Sequence, residues 1–170
     1  MKKLIYTLLA VSLIFTACKK EEGCTDIIAT NYNADAEDDD NSCIYSIIGT
    51  WTPNSALIDI SQSVTVAGAV VDSYDTSYTT TPADTSWEFS NVVFTADGQM
   101  ISDGDTNSYS HSGNVLTITE DGETETQTCT VTSTSLTVIM SDTEEETIEY
   151  MGQEGTSSFS YNMTLNATRQ

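Results

Sequence analysis

The sequence predicts an all-β protein, an antiparallel up-and-down meander that closes into a barrel. Two features of composition and one of patterning predict it. Thr (28) and Ser (20) supply 48 of the 170 residues while Gln, Lys, Arg and Leu are scarce, a balance that favours strands over helices. At 38 % hydrophobic and 18 % charged, the chain is neither a polar disordered polymer nor a membrane-embedded body. Short alternating runs are separated by Asp-Gly and Gly-Asn pairs, the strongest short-range hairpin signal. No Gly-rich nucleotide loop and no βαβ rhythm is present, which excludes a doubly wound α/β fold.

Charge excludes further classes. With 26 Asp or Glu against 5 Lys or Arg, the formal net charge is −21. Nucleic-acid binding needs basic residues to neutralise phosphate, and they are absent. An anionic membrane surface repels such a chain too.

The elements follow in chain order. Lys2 and Lys3, the apolar run Leu4 to Phe15, and Thr16-Ala17 describe a secretory signal peptide over residues 1–17. The run is too short for a membrane span, which needs about 20 residues. Phe15-Thr16-Ala17-Cys18 resembles the bacterial lipobox, with Phe15 where Leu is usual. The resemblance implies that Cys18 is lipidated and becomes the mature N-terminus. Loss of Lys2 and Lys3 with the leader takes the net charge from −21 to −23. Acyl chains at Cys18 would be the sole contact with lipid. Lys19-Lys20-Glu21-Glu22 resembles the tag that sends lipoproteins of Bacteroidota-type bacteria to the cell surface. The expected location is therefore the outer membrane, lipid-anchored and surface-exposed.

Residues 18–46 form a tether and a small acidic module. Gly23-Cys24-Thr25-Asp26, Asn31-Tyr32-Asn33 and Asp39-Asp40-Asn41-Ser42-Cys43 resemble a short Cys/Asp segment of flavobacterial surface proteins, with Asn41 where that pattern has Gly. So short a segment cannot bury a core, and a Cys24–Cys43 disulfide would staple it in an oxidising compartment. Asn31, Asn33, Asp35 and Glu37 place oxygen at every second position, a spacing that loops use around Ca²⁺. The EF-hand pattern fails, since Glu37 takes the turn-glycine position and Ser42 that of the closing Glu. A solvated acidic spacer is the favoured expectation, and no other cofactor is implied. Cys129, left over, shares a strand face with Val131 and reads as a buried small hydrophobe.

Residues 47–170 read as hairpins. Val92-Val93-Phe94 precedes the turn Ala96-Asp97-Gly98, and Tyr109 precedes Ser112-Gly113-Asn114. Val115 to Thr119 alternates before Glu120-Asp121-Gly122-Glu123, a Thr-rich strand runs to Thr132, and Leu136 to Met140 follows. In Val64 to Thr81, Val64 and Val66 alternate while Val70, Val71, Tyr74 and Tyr78 also fit a helical spacing; two strands with a loop near Ala67-Gly68 are the favoured expectation. Ile48-Gly49-Thr50-Trp51, Phe94-Thr95-Ala96-Asp97-Gly98 and Tyr109 with the run from Ser112 to Ile118 resemble the lipocalin-like domains of Bacteroidota lipoproteins. The resemblance implies a lipocalin-like β-barrel. Gly49-x-Trp51 also resembles the first signature of lipocalins proper, which implies that Trp51 closes the barrel base beneath an Arg near the C-terminus. Arg169 is the only Arg in the chain.

A barrel of this size holds one ligand or is filled by side chains. Trp87, Phe89 and Tyr109 are the candidate lining residues for a small apolar ligand. His111 has no nucleophile or acid beside it, and Asp142, Glu144-Glu145-Glu146 and Glu149 read as a solvated loop, so no enzyme is expected. Two functions remain: a tethered carrier of a small apolar ligand, or a filled barrel whose acidic surface binds a cationic protein.

Overall fold

The computed structural model describes residues 20–170. The expected leader at 1–17 and the expected lipidation site Cys18 lie outside the described residues. The chain divides between Ser46 and Ile47 into two compact units.

In the first unit, β1 (Glu22–Gly23) and β2 (Asp38–Asp39) form a two-residue parallel bridge. Cys24 and Cys43 are disulfide-bonded, with Cα atoms 4.8 Å apart. Asn31 ties the segment across that bond, donating from Nδ2 to the Ser42 carbonyl at 2.6 Å and accepting the Ile44 N–H at 2.7 Å. The Tyr45 phenol donates to Asp26 at 2.8 Å, and this bond holds its pKa above the ordinary tyrosine value.

The second unit contains β3 (Gly49–Val66), β4 (Ala69–Thr80), β5 (Val92–Phe94), β6 (Gln99–Ser102), β7 (Asp105–Ser112), β8 (Val115–Glu120), β9 (Glu123–Val131), β10 (Ser135–Tyr150) and β11 (Gln153–Arg169). Every pairing among them is antiparallel. β5 to β11 pair in sequence order, and β11 returns to β3, which also pairs β5. Eight strands thus close an up-and-down barrel consistent with a lipocalin-like one. Closure removes the free edges of an open meander.

Local sequence sets the corners. Ala67-Gly68, Asp103-Gly104, Asp121-Gly122 and Met151-Gly152 have positive φ at both positions, the type I′ geometry that matches strand twist in two-residue hairpins. The turn at Ala67-Gly68 joins the two strands expected between Val64 and Thr81, but β4 stays outside the ring. β3 explains why. Its first residues, Gly49 to Trp51, pair β5, whereas Ala56 to Val66 on the same edge pair β4.

β10, β11, β3 and β4 therefore run past the barrel as a four-stranded extension. β9 accompanies β10 only from Leu136 to Ile139, while β11 follows it to Tyr150. The acidic run is corrected accordingly. Asp142, Glu144-Glu145-Glu146 and Glu149 lie within β10, not in a loop, each opposite a residue of β11. Strand pairing on one side overrides the weak β-propensity of glutamate.

Strand alternation puts Trp51, Phe94, Leu116, Cys129, Leu136, Val138 and Ala167 into one buried cluster with Ile47. The Trp51 and Leu116 side chains are almost wholly hidden from solvent. A second cluster, Ala56, Ile58 and Met163, sits where the extension leaves the barrel.

Candidate functional site

Barrel closure is the first arrangement that the elements build. Arg169 lies opposite Trp51 in the β11–β3 ladder, and its guanidinium sits 4.3 Å from the Trp51 ring centroid. Its Nη1 donates to the Ile48 carbonyl at 2.8 Å, and the indole N–H donates to the Ile47 carbonyl at 2.7 Å. Gly49 permits this approach. Its φ is +140°, and a Cβ there would stand 3.0 Å from Arg169 Nη1. One guanidinium thus fastens the first barrel strand to the last.

Trp87, Phe89 and Tyr109, expected to line one pocket, lie in two separate packed groups. Tyr109 meets Phe94 edge-to-face at 4.8 Å and donates its hydroxyl to the Thr95 carbonyl at 2.8 Å. Burial raises its pKa, with Asp97 adding to the effect. Trp87 meets Phe89 edge-to-face at 5.0 Å, and both pack against the Ala56–Ile58–Met163 cluster. The connection after β4 carries them there. Asp84 holds its start, accepting the Thr81 N–H at 2.7 Å and the Thr81 hydroxyl at 3.0 Å. These bonds, led by the backbone one, hold the Asp84 carboxyl below the ordinary carboxylate pKa.

The four expected Ca²⁺ positions serve the backbone at their first two members. Asn31 Oδ1 takes the Ile44 N–H, and Asn33 Oδ1 takes the Asp35 N–H at 3.0 Å. Asp35 and Glu37 are exposed. Among the described residues no group of three or more His, Cys, Asp or Glu is placed to hold a metal ion. Cys129 is buried, and burial pushes its thiol pKa up. His111, half-buried on β7, pairs across to Leu116.

A cleft of about 550 Å³ lies on the extension. Its walls are three consecutive rows of the four strands. The central row reads Asp142, Tyr161, Ile60 and Thr76 from β10 to β4. Asp59 and Asp75 come from the flanking rows, and every other lining residue is Ser, Thr or Asn162. Most of the wall area is carbon, with Ile60 and the Tyr161 ring in the central row beside Asp142, while alternation turns Asp59 and Asp75, one row off, to the opposite face of the sheet. Burial raises the Tyr161 pKa, with Tyr78 adding to it, and the Tyr161 hydroxyl contacts Met163 Sδ at 3.0 Å.

Asp59, Ile60, Asp75 and Tyr161 were not singled out from the sequence. Residues 141–147 and 153–158 hold no apolar side chain, so no period-2 signal in the sequence marks these parts of β10 and β11. No protein-family model, curated protein sequence or solved structure matches the chain.

Proposed function

We propose that this protein is an exported lipoprotein, tethered to the outer membrane through Cys18, whose filled barrel is a scaffold for an acidic sheet that binds a cationic protein. The observation that carries the reading is a division of roles within one sheet. Bulky apolar side chains occupy the barrel, whereas the strands that outrun it carry Asp142 beside an open cleft and Asp59 and Asp75 on the reverse face of the same sheet. A carbon-rich floor with the Asp142 carboxylate beside it suits Lys and Arg, whose aliphatic stems bury while their charged heads find an anion. The net charge of −21 would speed encounter with a basic partner.

Stopped-flow association of a Lys-rich peptide with the full chain tests this at several salt concentrations. The expected rate falls steeply as salt rises, and falls again in an Asp59→Asn, Asp75→Asn, Asp142→Asn variant. Salt-independent association, or none, overturns the reading.

The cleft volume favours one rival, the small-ligand carrier, since sites for such ligands span about 300–1,000 Å³. Saturable one-to-one binding of an apolar fluorophore that ignores salt would establish that function instead. For the anchor, mass spectrometry of the membrane-extracted protein should find diacylglyceryl on Cys18. An unmodified N-terminus refutes it.

A further inference from the structure

We infer that the outer edge of β10, from Ser141 to Tyr150, is a strand-addition site at which an extended Lys- or Arg-bearing segment of the partner pairs backbone to backbone. The inference rests on the cationic-partner reading and specifies how that partner is held. β9 pairs β10 no further than Ile139↔Thr128, while β11 continues to Tyr150↔Gln153. Among the described residues, the remaining length of β10 has a strand on one side alone. Backbone groups of an antiparallel strand alternate between its two neighbours. The Ser135 carbonyl accepts the Thr132 N–H at 2.8 Å on the β9 side, so the odd-numbered residues of β10 face away from β11, among them Thr143, whose N–H bonds the Asp142 carboxylate at 2.7 Å. By alternation Ser141, Glu145, Thr147 and Glu149 face outward with it. Such a row of unpaired donors and acceptors is a template for an added strand.

Charge selects the occupant. Asp142, Glu144, Glu145, Glu146 and Glu149 fall on this edge, with no Lys or Arg in β10. A second copy of β10 would set like charges opposite one another, which destabilises a strand pair. A segment with Lys or Arg at alternate positions sets cations against Glu145 and Glu149 while its amides meet the open backbone. The other open edge, that of β4, is less suited. It is broken by a register shift between Val64 and Thr65, and it offers only Asp72 and Asp75.

The test uses the full chain and two peptides of about ten residues alternating Lys with Thr, one of them N-methylated at every second amide. Charge is equal, but the methylated peptide cannot complete a ladder. The expected result is binding by the first peptide, slowed amide exchange at Ser141, Glu145, Thr147 and Glu149, and at least about tenfold weaker binding by the second. Thr147→Pro, which removes an outward N–H and no bond to β11, should weaken the first peptide comparably while far-UV circular dichroism stays unchanged. Equal binding of both peptides overturns the edge pairing and leaves the cationic-partner function standing. Slowed exchange along β4 instead of β10 also overturns it. Binding by neither peptide removes both.

Discussion

Replacing Arg169 with Ala probes barrel closure directly. The substitution removes the guanidinium 4.3 Å from the Trp51 ring and the 2.8 Å bond to the Ile48 carbonyl. A cation over an indole contributes about 0.5–2 kcal/mol. A hydrogen bond from a charged donor contributes about 1.5–3 kcal/mol, with the low end apt for this exposed acceptor. Together they predict a loss of about 2–4 kcal/mol, because the rest of the β3–β11 ladder remains to hold the strands. At about 3–5 °C per kcal/mol for a domain of this size, the melting temperature falls by about 6–20 °C. Urea unfolding followed by tryptophan fluorescence in a Trp87→Phe background reports on Trp51 alone. The midpoint should drop with no change in slope, since the unfolded surface is unaltered. Arg169→Lys should fall between the two, because a lysine keeps the charge but not the planar fork. A loss below about 0.5 kcal/mol for Arg169→Ala would refute the reasoning, since it would put the pair in the range of an ordinary exposed contact.

Three further perturbations follow from the same structure. Gly49→Ala places a Cβ at φ +140° and 3.0 Å from Arg169 Nη1, so it should destabilise by at least about 1 kcal/mol. Combined with Arg169→Ala its cost should shrink, which a double-mutant cycle by urea unfolding measures. Asp84 has a folded-state pKa below its unfolded value, so its contribution is present above about pH 4 and is lost as acid protonates it. Amide exchange at Thr81 should therefore quicken below that pH in the native chain, and be fast and pH-independent once intrinsic rates are subtracted in Asp84→Ala. Cys129 is 1 % exposed with a raised pKa, so a thiol reagent at pH 8 should modify it only at the rate of unfolding. Modification at the rate of a free thiol would contradict its burial.

Several features were legible in the chain itself because they are local or bear a strong signal. The turns at Ala67-Gly68, Gly113-Asn114 and Asp121-Gly122 need particular backbone geometry, and the residues that supply it are recognisable in sequence. Trp51 and Arg169 were legible as a pair for a different reason. Gly49-x-Trp51 resembles the first signature of lipocalins, which implies an Arg near the C-terminus over the indole, and the chain has one Arg. The acidic run was misjudged because carboxylates in series resemble solvated loop when one strand is read alone. Its strand character comes from β11 opposite, which the run itself does not announce.

Alternation, turn chemistry and charge in the sequence determined an antiparallel all-β body with a negative surface. Tertiary structure alone decided where the ring ends, which strands outrun it and which aromatics meet. Trp87 and Tyr109 fell into different clusters because the connection after β4, fixed by Asp84, carries Trp87 to the extension. The cleft follows from register, which sets Asp142, Tyr161, Ile60 and Thr76 side by side although they come from four different strands. Register is a cooperative property of a closed sheet, since a slip of one residue would turn every buried side chain to solvent, and no short window of sequence contains it.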